Sequence, residues 1–174
     1  MGSTAYIEQH LAHRPVDPKL GPLDYFAEWP GTFPITKKPG YDDLKAYFNL
    51  DNGAGKIRGI YAENNVGATA LLKKWLAPFD SMGAGAVVAS KTGGTDHEYM
   101  QAVGLPRFQF IQDPLDYGTR THHSSIDVAP HAQAGDLMQA AAVVATFVYE
   151  AANRPEKLPR KPLPDPLPPR RAAP

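Results

Sequence analysis

The 174-residue chain contains no cysteine, which removes disulfides, thiolate metal ligands and cysteine nucleophiles together. Any metal must then be held by His, Asp and Glu. Net charge is missing too, because 18 Lys and Arg balance 18 Asp and Glu. Without a basic field, and with no Lys/Arg stripe interleaved with aromatics, nucleic acid is not an expected partner. No run of about 18 apolar residues occurs, so a helical membrane span is excluded on length. The first residues lack a basic segment leading into an apolar stretch, and no signal peptide is read in this chain. What is present is 43% hydrophobic residues over a length sufficient for one domain with its own core.

Residues 3–13 read as a short helix with Ser3 as its cap, ended by Pro15. Residues 14–40 are rich in Pro and Gly but carry Tyr25, Phe26, Trp29 and Phe33. That composition predicts a long loop serving as a lid or packed on a neighbour, since free linkers seldom hold large aromatics. Strands are expected at 44–50, 57–62, 86–89 and 108–111, and an amphipathic helix at 66–79 with Lys73 and Lys74 on its wet face. Thr95 with Glu98 forms a capping box for a helix stopped by Gly104. Asp136 caps an apolar helix through Tyr149 in which Leu137, Ala141, Val144 and Val148 share a face. Strands alternating with helices predict an α/β layered domain, helices on both faces of the sheet, with functional loops at strand ends. Residues 154–174 are Pro-rich and read as an extended or disordered tail.

Two segments carry chemistry. Asn49-Leu50-Asp51-Asn52-Gly53 ends a strand, and Thr121-His122-His123-Ser124-Ser125-Ile126-Asp127 places two imidazoles beside a carboxylate. Asp51 is equally a turn former next to Asn-Gly, and Ser124 with Asp127 equally starts a helix. A nearby carboxylate such as Asp127 also suits the second ring N–H of a metal-binding imidazole. Tyr117 and Arg120 lie in the same loop, where they could meet a substrate carboxylate, although a loop Arg is more often a surface ion-pair partner. Asp96 and His97 crowd beside Thr95. His10, His13 and His131 read as surface residues.

From residue 3 to about 163 the chain resembles the C-terminal portion of the carboxypeptidase Q (plasma glutamate carboxypeptidase) family of di-zinc exopeptidases. The resemblance rests on Ala46-Tyr47-Phe48-Asn49-Leu50-Asp51-Asn52-Gly53, Gly93-Gly94-Thr95-Asp96-His97, Val103-Gly104-Leu105-Pro106, Phe108-Gln109-Phe110-Ile111-Gln112-Asp113-Pro114-Leu115, the double His, and Glu156-Lys157-Leu158-Pro159-Arg160-Lys161-Pro162-Leu163. It implies a zinc-exopeptidase-like fold, two zinc ions, and hydrolysis of a peptide or dipeptide near a free terminus. Asp51 would ligate one zinc and His123 the other. His122 would polarise the substrate carbonyl, and Asp96, His97, Tyr117, Arg120 and Asp127 would border the substrate or the ligands. The tail becomes a strap on the parent domain.

In that family a further His, a bridging Asp and a Glu-Glu pair supplying the general base lie N-terminal to the matched region. The expectation is therefore a C-terminal part that lacks its N-terminal elements and is inactive alone, with a companion half or a homodimer as possible partners. A non-catalytic binding or scaffold protein derived from such a peptidase is the alternative. Exported location is common in the family and would be expected of the intact member.

Overall fold

The computed structural model describes residues 2–166. At its centre is a four-stranded mixed sheet formed by β3 (Tyr47–Asn49), β4 (Ile57–Tyr61), β5 (Ala86–Val88) and β6 (Arg107–Gln112). Its order is β3-β6-β4-β5; β6 runs parallel to β3 and antiparallel to β4, while β4 and β5 are parallel. Gly59 permits the tight β4–β5 approach, since a Cβ there would overlap the Ala86 carbonyl. The α/β layering expected from the sequence is present.

Alternation along β6 sends Phe108 and Phe110 to one face and Arg107 and Gln109 to the other. The first face is covered by α3 (Thr69–Leu76) and α5 (Ala134–Asn153). Phe147 is the hinge of this core, lying edge-on to Phe48, Trp75 and Phe110 at centroid distances of 5.1–5.6 Å. The second face meets α4 (His97–Ala102) and α1 (Gly2–His10), where Ile7, Leu11, Trp29, Met100 and Val103 form a separate cluster.

One polar group in the first core has a clear task. The β4–β6 register breaks between Ile57 and Gly59, which leaves the Ile57 backbone groups short of ladder partners. Gln139 of α5 supplies both: its Oε1 accepts the Ile57 N–H at 2.9 Å and its Nε2 donates to the Ile57 carbonyl at 2.8 Å. Burial of Gln139 is thereby compensated.

Several expectations are corrected. Residues 14–40 are not a long loop: β1 (Ala12–His13) pairs antiparallel with β2 (Thr36–Lys37), and α2 (Pro22–Glu28) lies between them. Pro22 at the first turn starts α2, and the fully buried Trp29 anchors the segment by donating its indole N–H to Glu8 at 2.6 Å. In α5 the buried face is rotated from the expected one, of which Val144 alone packs against the core. Gln139, Ala140, Val143, Phe147 and Ala151 are buried, whereas Leu137 and Val148 are 54% and 52% exposed. Asp136 sits in the first turn, with Gln133 at the cap. So uniformly apolar a helix has no periodicity to choose a face, and the aromatic cluster around Phe147 chooses it. The tail to residue 166 is extended yet packed. Leu158 enters the core, Asn65 donates to the Pro159 carbonyl, and Arg160 donates to the Leu44 carbonyl at 2.6 Å. Residues 167–174 of the expected tail lie outside the described residues.

Two outcomes follow. Gln139→Leu leaves the buried Ile57 groups unpaired and should cost about 1–3 kcal/mol, measured by urea unfolding against wild type. Burial pushes the Glu8 carboxyl upward, but the Arg14 N–H, Trp29 and His13 outweigh it and hold it below its ordinary value. A depressed carboxylate stabilises the fold above its unfolded-state pKa and loses that contribution as pH falls through the folded value. Wild-type stability should therefore drop more steeply than that of Glu8→Gln between roughly pH 5 and 3, read from melting temperatures across that range.

Candidate functional site

Because β3 and β6 are parallel, the segments leaving their C-terminal ends emerge on the same side of the sheet. Asp51 follows β3, and the chain after β6 turns back over it. There a π-helical turn, Tyr117–Thr121, delivers the double His. Such turns are rare and recur at functional sites. Gly53 packs on the end of β6, where a Cβ would come within 2.8 Å of Gln112 and 2.9 Å of the Asp113 carbonyl.

The result is a cleft of about 360 Å³ lined by Asp51, Asn52, Gly93, Gly94, Tyr117, His122, His123 and Asp127. Residues far apart in sequence are joined directly, the Tyr117 hydroxyl donating to the Asp51 carbonyl at 3.0 Å. Burial first, and then the charges of Asp51 and Asp127, hold the Tyr117 phenol above its usual value, so it stays a neutral donor. The rings of Tyr117 and His122 are 4.7 Å apart and those of His122 and His123 3.9 Å. His123 has φ +55°, a left-handed conformation that costs a non-glycine residue about 1–2 kcal/mol. Strain of this kind concentrates where side-chain direction matters.

Asp51 is held by a directional chain of hydrogen bonds that starts inside the sheet. Gln109, fully buried in β6, donates to the Phe110 carbonyl and accepts the Asn49 amide at 2.5 Å. Asn49 gives its other amide hydrogen to Thr95 Oγ1 at 2.8 Å, and Thr95 donates to Asp51 Oδ2 at 2.6 Å. Thr95 Oγ1 also accepts the Asp96 N–H at 2.7 Å, which leaves its one hydrogen for Asp51, so the carboxylate is aimed from the core. The loop bearing Thr95 is pinned from below by Glu63. Fully buried, Glu63 accepts the Thr92 N–H at 3.2 Å and lies 2.9 Å from Arg107.

Of the expected site residues, Asp51, His122, His123, Tyr117 and Asp127 come together. Asp96 lies next door, lining an acidic recess with Asp51 and Glu98. His97 is not a substrate-side group: it is fully buried, 3.5 Å from Glu63. Arg120 is exposed and does not line the cleft. The capping box is also corrected. Thr95 turns its hydroxyl to Asp51 and Glu98 accepts the Gly94 N–H, while Asp96 occupies the cap of α4 without a side-chain bond. No helix begins at Ser124, whose hydroxyl donates back to the Arg120 and Thr121 carbonyls. His131, read as a free surface residue, bonds Asp116 at 2.7 Å and ties down the base of the double-His loop. Asn49, Gln109 and Thr95 were missed as site residues; the polar side chains at positions 49 and 109 inside apolar strands were the available signal.

Among the described residues no three His, Asp or Glu side chains converge as a closed metal-ligand set. The donors present do not complete a metal centre on their own. If the hydrogen-bond chain acts as a unit, a double-mutant cycle of Asn49→Ala and Thr95→Ala should show a coupling of about 0.5–3 kcal/mol. Urea unfolding of the four proteins reads it, and additive losses would refute the chain.

No family model matches the chain, and no curated protein does either. Among solved structures it aligns with the crystal structure of a Peptidase M28 precursor from Shewanella amazonensis SB2B, at 29% identity with a TM-score of 0.56. The alignment covers 68% of this chain and 27% of that one, so the chain spans only about a quarter of the peptidase's length. The α/β sheet with Asp51 and the double His at its strand ends is built on a peptidase M28-like scaffold.

Proposed function

We propose that this chain is the C-terminal part of a zinc-dependent exopeptidase that hydrolyses peptide bonds near a free terminus, and that it is inactive by itself. The observation supporting this reading is the convergence of Asp51, His122, His123 and Asp127 on one cleft at the ends of parallel strands, on a scaffold similar to a Peptidase M28 precursor. In the resemblance to carboxypeptidase Q, Asp51 and His123 each hold one of two zinc ions. The bridging carboxylate, the remaining ligands and the general base come from family elements N-terminal to the matched region. His122, whose ring lies between those of Tyr117 and His123, is the proposed group that polarises the substrate carbonyl.

A companion polypeptide carrying those elements is the proposed partner, along with a peptide or dipeptide substrate. Support comes from the outer edge of β3, which among the described residues pairs only with β6, and from the apolar outer face of α5, where Met138 and Tyr149 are 69% and 67% exposed. A second reading, a binding or scaffold protein derived from a peptidase, is favoured by the lack of a closed ligand set among the described residues. A homodimer through the α5 face is compatible with either.

Zinc calorimetry on the chain alone should show no stoichiometric submicromolar site, because a catalytic zinc ordinarily needs three protein ligands. Adding the family's N-terminal elements as a separate polypeptide should create chelator-sensitive dipeptide hydrolysis that Asp51→Ala or His123→Ala abolishes. His10→Ala, on the exposed outer face of α1, should leave it intact. Hydrolysis by the chain alone, or indifference to Asp51 and His123, would sink the half-site reading. Tight assembly without hydrolysis would favour the scaffold.

A further inference from the structure

On the far side of α4 from the cleft is a second cavity, of about 390 Å³, whose walls include Arg14, Lys91 and Arg107 against a single carboxylate, Glu98. That carboxylate is already committed to the Gly94 N–H at 2.9 Å. Arg14 is 1% exposed and forms no ion pair with a described residue. Its two terminal nitrogens donate to the Thr32 and Ala102 carbonyls, its guanidinium carbon lies over the Phe33 and Trp29 rings, and its Nε has no acceptor among the described residues. Arg107, 3% exposed, has Glu63 on one side and Gln101 on the other, and its Nε also has no acceptor.

A buried guanidinium with carbonyls but no counter-ion is costly in a low-dielectric interior. Burial pulls both arginines below their ordinary range, only partly opposed by Glu8 at Arg14 and by Glu63 and Glu98 at Arg107. Arg14, with no counter-ion among the described residues, and Arg107, paired with Glu63 but with its Nε unfilled, share one cavity with an exposed lysine at its rim. Apart from Gln101, which accepts from Arg107, the rest of the wall is mostly apolar, with Phe26 and Tyr99 edge-on to one another at 6.4 Å. Cations and aromatic faces together select an anion with an apolar body.

We propose that the cavity between Arg14, Lys91 and Arg107 is a binding site for a small organic carboxylate carrying an aromatic or aliphatic group. The carboxylate is held by the cations and the apolar group lies against Phe26 and Tyr99. Glu98 and Tyr99 also border the acidic recess beside Asp51, so the bound molecule sits next to the candidate cleft but outside it. The site needs no metal and stands whether or not the chain is part of a peptidase.

Trp29 lies 5.6 Å from Arg14 and 6.2 Å from Tyr99, so its fluorescence reports occupancy. The full chain, free of metal and at constant ionic strength, is titrated with sodium benzoate, acetate, inorganic phosphate and chloride. Benzoate should give a saturable change at lower concentration than the other three. Lys91→Ala should weaken benzoate binding about ten-fold, and Lys91→Glu should abolish it; both variants change an exposed side chain and should melt like wild type. The site is refuted if benzoate produces no saturable change. It is equally refuted if phosphate or chloride matches benzoate, or if Lys91→Glu binds benzoate as wild type does.

Discussion

Everything in the candidate site depends on the parallel pairing of β3 with β6. Had β6 run the other way, the loop with the two histidines would leave from the opposite end of the sheet, more than a strand length from Asp51. The register then matters as much as the direction. Asn49 stands opposite Gln109, and the two amides bond across the strands on the face turned toward α4. A slip of one residue by either strand would turn its amide to the aromatic core, break the bond between the two, and leave Thr95 and Asp51 without their support. Parallel strands placing function at their carboxyl ends is a general property of α/β sheets; here it is implemented by a pair of side-chain amides.

Much of this was legible in the chain. Asn-Leu-Asp-Asn-Gly reads as a strand end on turn chemistry alone, and the double His stands out once cysteine is absent. Strand positions came within a few residues, because β-branched and aromatic runs bounded by Gly and Pro carry strong local signals. What local signals could not carry was the choice between equally good local options. Thr95 satisfies a capping-box pattern, yet Asp51 is a charged acceptor and takes the hydroxyl. α5 is apolar nearly all round, so only its aromatic partners decide its inner face. Residues 14–40 lack periodicity but gain their helix and hairpin from Pro22 and from the anchoring of Trp29 to Glu8. His97, attractive beside Asp96, is buried because Glu63 offers it a partner that is invisible from sequence spacing.

The two faces of α4 divide the molecule's polar chemistry. Toward β3 lie Thr95, Asp96 and the acidic recess; toward α2 lie the two buried arginines. Glu63 links them, since it meets both Arg107 and the start of the Thr92–Asp96 loop. Glu63 and Asn64 have φ +56° and +59° in succession, a chain reversal that turns the carboxylate inward beneath α4. Lys161 of the packed tail closes this node from outside by donating to the Glu63 carbonyl at 3.0 Å.

The left-handed backbone at His123 bears on how this position drifts. Glycine would occupy that conformation without the steric cost that a Cβ imposes, and asparagine would tolerate it better than most residues. Selection for folding alone would therefore move position 123 away from histidine, toward smaller residues that relieve the turn. A library of variants sorted only for thermal stability would be enriched in Gly and Asn there, whereas one sorted for what the cleft does would keep the imidazole.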